Sequence, residues 1–248
     1  GDQPLEQGGG GVEPRTFNLN ESAANRLLAL HLPFSLDPDE VPRVVVIGTC
    51  HLARALVVQI ARFWSLARLR RFPDLPLPVV WLDPDAPSVA AELGEQLPDL
   101  AGLLQIEART DHLHAADLAR RLGIGAAHER VYVCLEDEAE GLAVALRLAD
   151  QRNGSFLPAQ PLVVQARVSR GTTHFALDLD LLGEEEEAVR ADGLQFATLR
   201  SGVRIATFAP LEVACEPLTL FGDRVDQQAR LAHDVYRGQR AIVVEEER

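Results

Sequence analysis

The chain has 248 residues, of which 47% are hydrophobic and 25% are charged, and its formal net charge is −13. This length and composition fit one globular α/β domain with an appended segment. The negative charge argues against nucleic acid and anionic lipid as main partners, because both require a surplus of basic side chains. No apolar run reaches the roughly 18 residues that a membrane span needs, and the sequence shows no signal peptide.

The counts of cysteine, methionine and lysine indicate the redox setting of the protein, the nature of its first residue and one class of nucleotide site that it lacks. The three cysteines are odd in number and widely spaced, which favours reduced thiols in a cytoplasmic setting over a disulfide framework. Methionine is absent, which predicts that Gly1 is not a native start and that the chain is either a piece of a longer protein or a processed one. Lysine is absent as well, which excludes the lysine of a phosphate-binding P-loop.

Residues 1–40 predict a linker followed by a short helix. The first fourteen positions are polar and rich in glycine. Asn20 is a suitable N-cap for a helix that ends near Leu30 and carries leucines on one side. Pro33 and Pro38 then interrupt the chain before the first strand.

Residues 41–170 alternate between strand and helix patterns. The apolar run 44–47 ends at Gly48, and a long helix follows from about His51 to Arg70. Further strands are predicted at 78–83, 103–108, 130–136 and 162–168, with helices at 89–97, 115–122 and 137–150. Such alternation predicts a parallel sheet with right-handed crossovers.

Beyond residue 170 the pattern is weaker. The charge run 184–187 predicts a solvated helix or loop, residues 202–208 a sixth short strand, and residues 222–237 a helix. The predicted architecture is therefore a Rossmann-like, doubly wound α/β fold with a mainly parallel sheet and a C-terminal helical extension. The predicted domains are 1–40, 41–170 and 171–248.

The junction at Gly48 predicts the glycine-rich turn of a nucleotide-binding unit in altered form. In that unit, G-x-G-x-x-G lies between a strand and the helix N-terminus that meets a pyrophosphate. Here Gly48, Cys50 and Ala53 hold the three glycine positions. Alanine is compatible with the third position, whereas a side chain at the second lies where the pyrophosphate would approach. A nucleotide site and a tight turn without ligand are equally compatible with this pattern.

Two carboxylates follow strands at the same predicted edge of the sheet. Asp83 ends the second strand, where many dinucleotide folds place the carboxylate that binds ribose; alternatively, it starts the turn into the next helix. Glu136 follows the fourth strand at the ligand-binding edge, or it belongs to the charged start of the next helix. The candidate cofactor site consists of Gly48, Thr49, Cys50, His51, Asp83 and Glu136.

The sequence predicts neither a catalytic nor a metal site. His112 and His114 are too closely spaced to be two ligands on one helix face, and no cysteine cluster accompanies them. A G-x-S-x-G elbow is also absent. His233 and Tyr236 are assigned to a helix face rather than to an acid–base pair. The expectation is a protein that is not an enzyme.

Residues 42–168 resemble the TrkA-N family, the domains that regulate K⁺ conductance (RCK domains) in cation channels and transporters. The resemblance is carried by residues 45–48 with the following helix, by 81–83, and by 132–137 leading into 141–146. It implies a Rossmann-like domain whose ligand is NAD(H), an adenine nucleotide or an ion. It also implies a homo-oligomer at the inner face of a membrane, joined to a membrane-embedded portion outside this chain.

Residues 226–236 resemble the first helix of a ryanodine-receptor-type (RyR) repeat. Ala229, His233 and Tyr236 carry this match. Bacterial proteins that join a TrkA-N-like domain to an RyR-type repeat, sometimes behind membrane helices, are similar in organisation to the whole chain.

Together these observations predict a non-catalytic cytoplasmic regulatory domain of a cation channel or transporter-like protein. A ligand near Gly48 and Asp83 would shift a two-state arrangement between protomers through its different affinity for the two states. Two alternatives stay open: a nucleotide-dependent oxidoreductase, and an assembly module whose nucleotide site is vestigial.

Overall fold

The computed structural model describes residues 18–33, 42–71, 75–124, 129–151, 162–165, 189–191, 194–198 and 203–210. The helices are α1 (Leu19–Leu30), α2 (His51–Arg71), α3 (Ala86–Gln96), a 3₁₀ helix (Pro98–Gly102), α4 (Leu118–Arg121) and α5 (Glu138–Gln151). The strands are β1 (Arg43–Ile47), β2 (Leu77–Leu82), β3 (Leu104–Arg109), β4 (Glu129–Val133), β5 (Leu162–Gln165), β6 (Val189–Ala191), β7 (Leu194–Thr198) and β8 (Arg204–Phe208). The predicted charge run 184–187, the predicted helix 222–237 and the C-terminal helical extension lie outside the described residues.

All described strands belong to one sheet in the order β3-β2-β1-β4-β5-β8-β7-β6. The strands from β3 through β8 in this order run parallel, whereas β7 and β6 add an antiparallel hairpin at the far side. The order 3-2-1-4-5 is that of the Rossmann fold, and β8 takes the place of its sixth strand. The predicted Rossmann-like α/β fold is confirmed.

Helices cover both faces of the sheet, which explains why the central strands read as continuous apolar runs. Val44 and Val46 of β1 face the core formed with α1, α2 and α3. Val45 and Ile47 face the second core, formed with α4 and α5. All four side chains are fully buried, as expected for a doubly wound sheet.

Helix α1 begins earlier than predicted. The N-cap is Asn18, whose side-chain oxygen accepts a hydrogen bond from the backbone N–H of Glu21 at 3.2 Å. The assignment of Asn20 as N-cap was wrong, because both asparagines are good caps and only the position of the first turn distinguishes them. At its other end α1 is fixed to the sheet, since Nδ1 of His31 lies 3.2 Å from the hydroxyl of Tyr132 on β4.

Several other element boundaries differ from the prediction. Helix α3 begins at Ala86 rather than at residue 89, and α4 covers only Leu118–Arg121 of the predicted range 115–122. Strand β4 ends at Val133 rather than at residue 136, because its partner β1 ends at Ile47 and the chain turns away at Gly48. The hairpin of β6 and β7 was not predicted. Strand β7 of this hairpin pairs antiparallel with β8 and so extends the mainly parallel sheet that the sequence pattern indicated.

Candidate functional site

The carboxyl ends of β1, β2 and β4 meet at the point where the strand order reverses. Strand β1 lies between β2 and β4, with Ile47 opposite both Leu82 and Val133. The connections that leave β1 and β4 turn to opposite faces, so a crevice opens between them, and ligands of open α/β sheets bind in such a crevice. The structure places all six predicted cofactor residues at this edge: Gly48, Thr49, Cys50 and His51 after β1, Asp83 after β2, and Glu136 after β4.

Gly48 is required by the fold itself. Its φ is +103°, and a Cβ atom at this position would lie 2.0 Å from the carbonyl oxygen of Cys134. Its N–H donates to the carbonyl of Leu82 at 2.9 Å, and its own carbonyl accepts from Nε1 of Trp81 at 2.7 Å. The close approach of the backbone at Cys134, just after β4, therefore excludes any side chain here, whether or not a ligand binds.

Asp83 is held in place from two sides. Its Oδ1 accepts hydrogen bonds from the Thr49 hydroxyl at 3.1 Å and from the backbone N–H of Asp85 at 2.9 Å. The second bond forms an Asx turn into α3, so the predicted turn-starting role of Asp83 is observed. Among the described residues none donates a hydrogen bond to Oδ2, which leaves that oxygen available to a ligand.

Cys50 is the N-cap of α2. Its carbonyl accepts from the N–H of Arg54 at 3.1 Å, and its sulfur accepts from the N–H groups of Ala53 and Leu52. Burial raises the pKa of the half-buried thiol; the two N–H groups lower it, and the charges of Glu136 and Asp83 raise it further. The net effect is an increase, so Cys50 is a neutral thiol at neutral pH.

Arg54 is the basic side chain of the first turn of α2. Its Nη1 lies 3.1 Å from Oε2 of Glu92 on α3, and its Nε donates to the carbonyl of Thr49 at 3.4 Å. The guanidinium thus braces the turn after β1 against α3. Its charge is already matched by a carboxylate before any ligand arrives.

The acidic side of the crevice is formed by the residues that follow β4. Glu136 is exposed, whereas Oδ1 of the neighbouring Asp137 accepts from the N–H of Glu140 at 3.0 Å and caps α5. The residue that caps α5 is therefore Asp137 and not Glu136, which was predicted as a possible helix-start residue. Glu136 is an exposed carboxylate at the rim of the crevice. His51 is also exposed, at the first position of α2.

Sequence reasoning missed the contacts that hold this edge together. Trp81 belongs to a strand pattern, yet its indole fixes the Gly48 carbonyl across 33 positions of sequence. The Thr49–Asp83 bond joins residues 34 positions apart. No local signal marks either pair, because both depend on the parallel register of β1 and β2.

The described part of the chain contains no group of three or more His, Cys, Asp or Glu side chains arranged to hold a metal ion. His114 instead lies 3.2 Å from Oε1 of Glu140 through its Nε2 atom, in an exposed pair. None of the helices within the described ranges combines the length and apolar character needed to cross a bilayer.

Comparisons with protein-family models, with curated proteins and with solved structures find no match for this chain. The resemblances to TrkA-N domains and to RyR repeats therefore stay predictions carried by the residues quoted above. Residues 226–236, which carry the second resemblance, lie outside the described residues.

Proposed function

We propose that this protein is a non-catalytic, ligand-sensing domain that binds a nucleoside-containing molecule in the crevice at the carboxyl ends of β1, β2 and β4. The observation that carries the proposal is the arrangement of Asp83. Its Oδ1 is occupied by Thr49 and by the N–H of Asp85, and the opposite oxygen is left for a ligand. A ribose diol supplies two O–H donors that suit such an oxygen.

The location explains how binding would be sensed. A ligand held by Asp83 after β2 and by the rim after β4 bridges the two sides of the strand-order reversal. Such a ligand would stabilise one spacing of these elements over another. Only a difference in its affinity for the two arrangements can shift the equilibrium between them. NAD(H) and adenine nucleotides are the ligands that the TrkA-N resemblance implies. A homo-oligomer beside a cation channel or transporter is the setting that it implies.

The chemistry of Cys50 favours binding over catalysis. A nucleophilic cysteine needs a depressed thiol pKa, whereas burial raises the pKa of this thiol, and its sulfur is engaged by two backbone N–H groups. This argues against covalent catalysis by the thiol. Because the sequence offers no recognisable proton-transfer set for the crevice, we also expect no hydride transfer. Turnover of NAD(P)H with a carbonyl substrate, lost on substitution of one histidine or aspartate of the crevice, would favour the oxidoreductase alternative.

Calorimetric titration tests the proposal. The panel is adenosine, AMP, ATP, NAD⁺ and NADH, applied to the wild type, to Asp83→Asn and to the exposed control Asp99→Asn. Asparagine keeps the Oδ1 acceptor for Thr49 and Asp85 but replaces Oδ2 with an N–H₂ group. We expect Asp83→Asn to weaken binding about 10- to 100-fold, as for a lost hydrogen bond to a charged group. Equal affinities of the two variants, or no binding by the wild type, would contradict the proposal.

A second function, that of an assembly module with a vestigial site, is favoured by one specific observation. Gly48 is required by the backbone at Cys134, just after β4, and Cys50 caps its own helix, so both remnants of the fingerprint have structural roles without a ligand. This alternative predicts a stable oligomer by light scattering whose mass and thermal stability are unchanged by every member of the panel.

A further inference from the structure

The edge of the sheet at β3 is a surface that the proposed function does not use. Strand β3 stands first in the strand order, so among the described strands it has a neighbour, β2, on one side only. An edge strand presents unpaired N–H and C=O groups to any further strand. We propose that two copies of this chain pair antiparallel through β3 and form one continuous sheet across a two-fold axis. This inference goes beyond the proposed function and does not depend on a ligand in the crevice.

The backbone of β3 determines which residues can form the new pairing. The carbonyl of Arg109 accepts a hydrogen bond from the N–H of Asp83 at 3.0 Å, so the N–H and C=O of Arg109 point toward β2. This direction alternates along a strand, and the N–H and C=O groups of Leu104, Ile106 and Ala108 therefore point away from β2. These outward-pointing groups are the ones that a second copy of the chain can bind.

Charge selects one register for this pairing. Outward-pointing residues of one copy must lie opposite outward-pointing residues of the other, which allows two-fold centres at Ile106, Glu107 and Ala108. A centre at Ile106 places Glu107 opposite Gln105, and a centre at Glu107 places this carboxylate opposite its own copy. Of these three registers, only the centre at Ala108 places Glu107 of each copy opposite Arg109 of the other. Opposite charges that face each other across two strands stabilise the pairing, whereas like charges oppose it.

The side chains on both faces of β3 suit a second copy. The Glu107 side chain is 62% exposed, and its Oε1 lies 3.7 Å from Nη1 of Arg109 in the same chain, which is too far for a hydrogen bond. Glu107 can therefore accept a closer donor from another chain. On the other face, Ile106 and Ala108 are apolar and half-buried against the core formed with α1, α2 and α3. A neighbouring strand would remove more of their surface from water.

Complementary charge reversals test the proposal by sedimentation equilibrium of the full chain without ligand. We expect a wild-type dimer, and we expect Glu107→Arg or Arg109→Glu alone to raise its Kd at least about tenfold, because each places like charges opposite one another twice. A mixture of the two variants should form a heterodimer, since both cross-strand pairs then join opposite charges. Mixing cannot restore an ion pair within one chain. The control Glu95→Arg, at an exposed position of α3, should leave the Kd unchanged.

A backbone variant tests the same edge without changing charge. Ala108→Pro removes an N–H that points away from β2, so the pairing within the chain keeps its hydrogen bonds while the dimer should be lost. Arg109→Glu also loses the 2.8 Å bond from Nε to Asp111, so circular dichroism checks the fold of every variant. A monomeric wild type, a dimer unaffected by Glu107→Arg or Ala108→Pro, or a monomeric mixture of folded variants would overturn the inference. None of these results bears on ligand binding at Asp83, which calorimetry measures separately.

Discussion

The two ends of the central strands differ in how their charges are satisfied. At the amino ends, Glu129 on β4 forms an ion pair with Arg43 on β1, and Arg43 also donates to the carbonyls of Leu122 and Gly123. At the carboxyl ends, Glu136 is exposed, and Oδ2 of Asp83 accepts no hydrogen bond from the described residues. The amino ends of β1 and β4 are thus joined by an ion pair, whereas the carboxylates of Asp83 and Glu136, which follow β2 and β4, form no ion pair with a described residue. Charge therefore contributes to stability at the amino ends of the strands, whereas at the carboxyl ends it is what the proposed ligand would meet.

The largest expected loss of stability comes from adding a side chain at Gly48, in the turn at the carboxyl end of β1. Gly48→Ala places a methyl group 2.0 Å from the Cys134 carbonyl oxygen at a φ of +103°, and we expect a loss of about 3–5 kcal/mol of unfolding free energy. Gly94→Ala is the control, because nothing lies within 4 Å of its added Cβ. In the interior of α3 this change should stabilise by about 0.5–1 kcal/mol. Urea unfolding measures both. A Gly48→Ala variant as stable as the control would show that the turn adapts freely.

Removal of the Arg43–Glu129 ion pair at the amino ends of the strands should lower the unfolding free energy nearly as much. Glu129→Gln leaves Arg43 facing a neutral partner, and the Glu129 side chain is only 1% exposed, so we expect a loss of about 2–4 kcal/mol. Glu92→Gln removes an exposed partner of Arg54 and should cost less than about 1 kcal/mol. Denaturant midpoints of the two variants make the comparison. Similar midpoints would contradict the assignment of the amino edge as the structural one.

The pH dependence of unfolding tests whether His31, just after α1, is buried against β4 as a neutral side chain. Burial, together with the nearby charge of Arg130, lowers the pKa of His31 from 6.5 to about 4. The pKa of His31 is lower in the folded state than in the unfolded state. Its contribution to the unfolding free energy is therefore complete above pH 6.5 and is lost as the pH falls toward 4. The loss amounts to about 3 kcal/mol. His31→Gln should flatten the wild-type curve between these values. Parallel curves for the two proteins would refute the burial of a neutral imidazole.

The smallest effect concerns binding at the open edge. Cys50→Gly frees the N–H groups of Leu52 and Ala53 and removes the side chain at the second fingerprint position. Nucleotide affinity should rise about five- to hundredfold, or about 1–3 kcal/mol, for a small cost in helix capping. Calorimetry with AMP, ATP and both forms of NAD measures the change. Tighter binding by the wild type would indicate a turn rebuilt around the sulfur.

The sequence predicted the elements that depend on local pattern. The apolar run of β1, the turn at Gly48 and the order of strands and helices follow from burial on both faces and from the conformational freedom of glycine. Asp83 and Glu136 were placed at the right edge, because the carboxyl ends of parallel strands meet there. These predictions needed no knowledge of individual contacts.

The remaining features depend on distant residues. The role of Gly48 is set by the Cys134 carbonyl, and the orientation of Asp83 by Thr49. The sulfur of Cys50 was expected to obstruct a phosphate, but its own hydrogen bonds to the helix N-terminus require the geometry of the turn. The hairpin of β6 and β7 was missed because its pairing with β8 is a property of the assembled sheet.

A crystal structure with adenosine bound tests the central claim most directly. The account predicts nucleoside density between the Gly48 turn and the end of β2, with a ribose hydroxyl within hydrogen-bonding distance of Oδ2 of Asp83. Density at another place on the molecule, with this crevice empty, would contradict it.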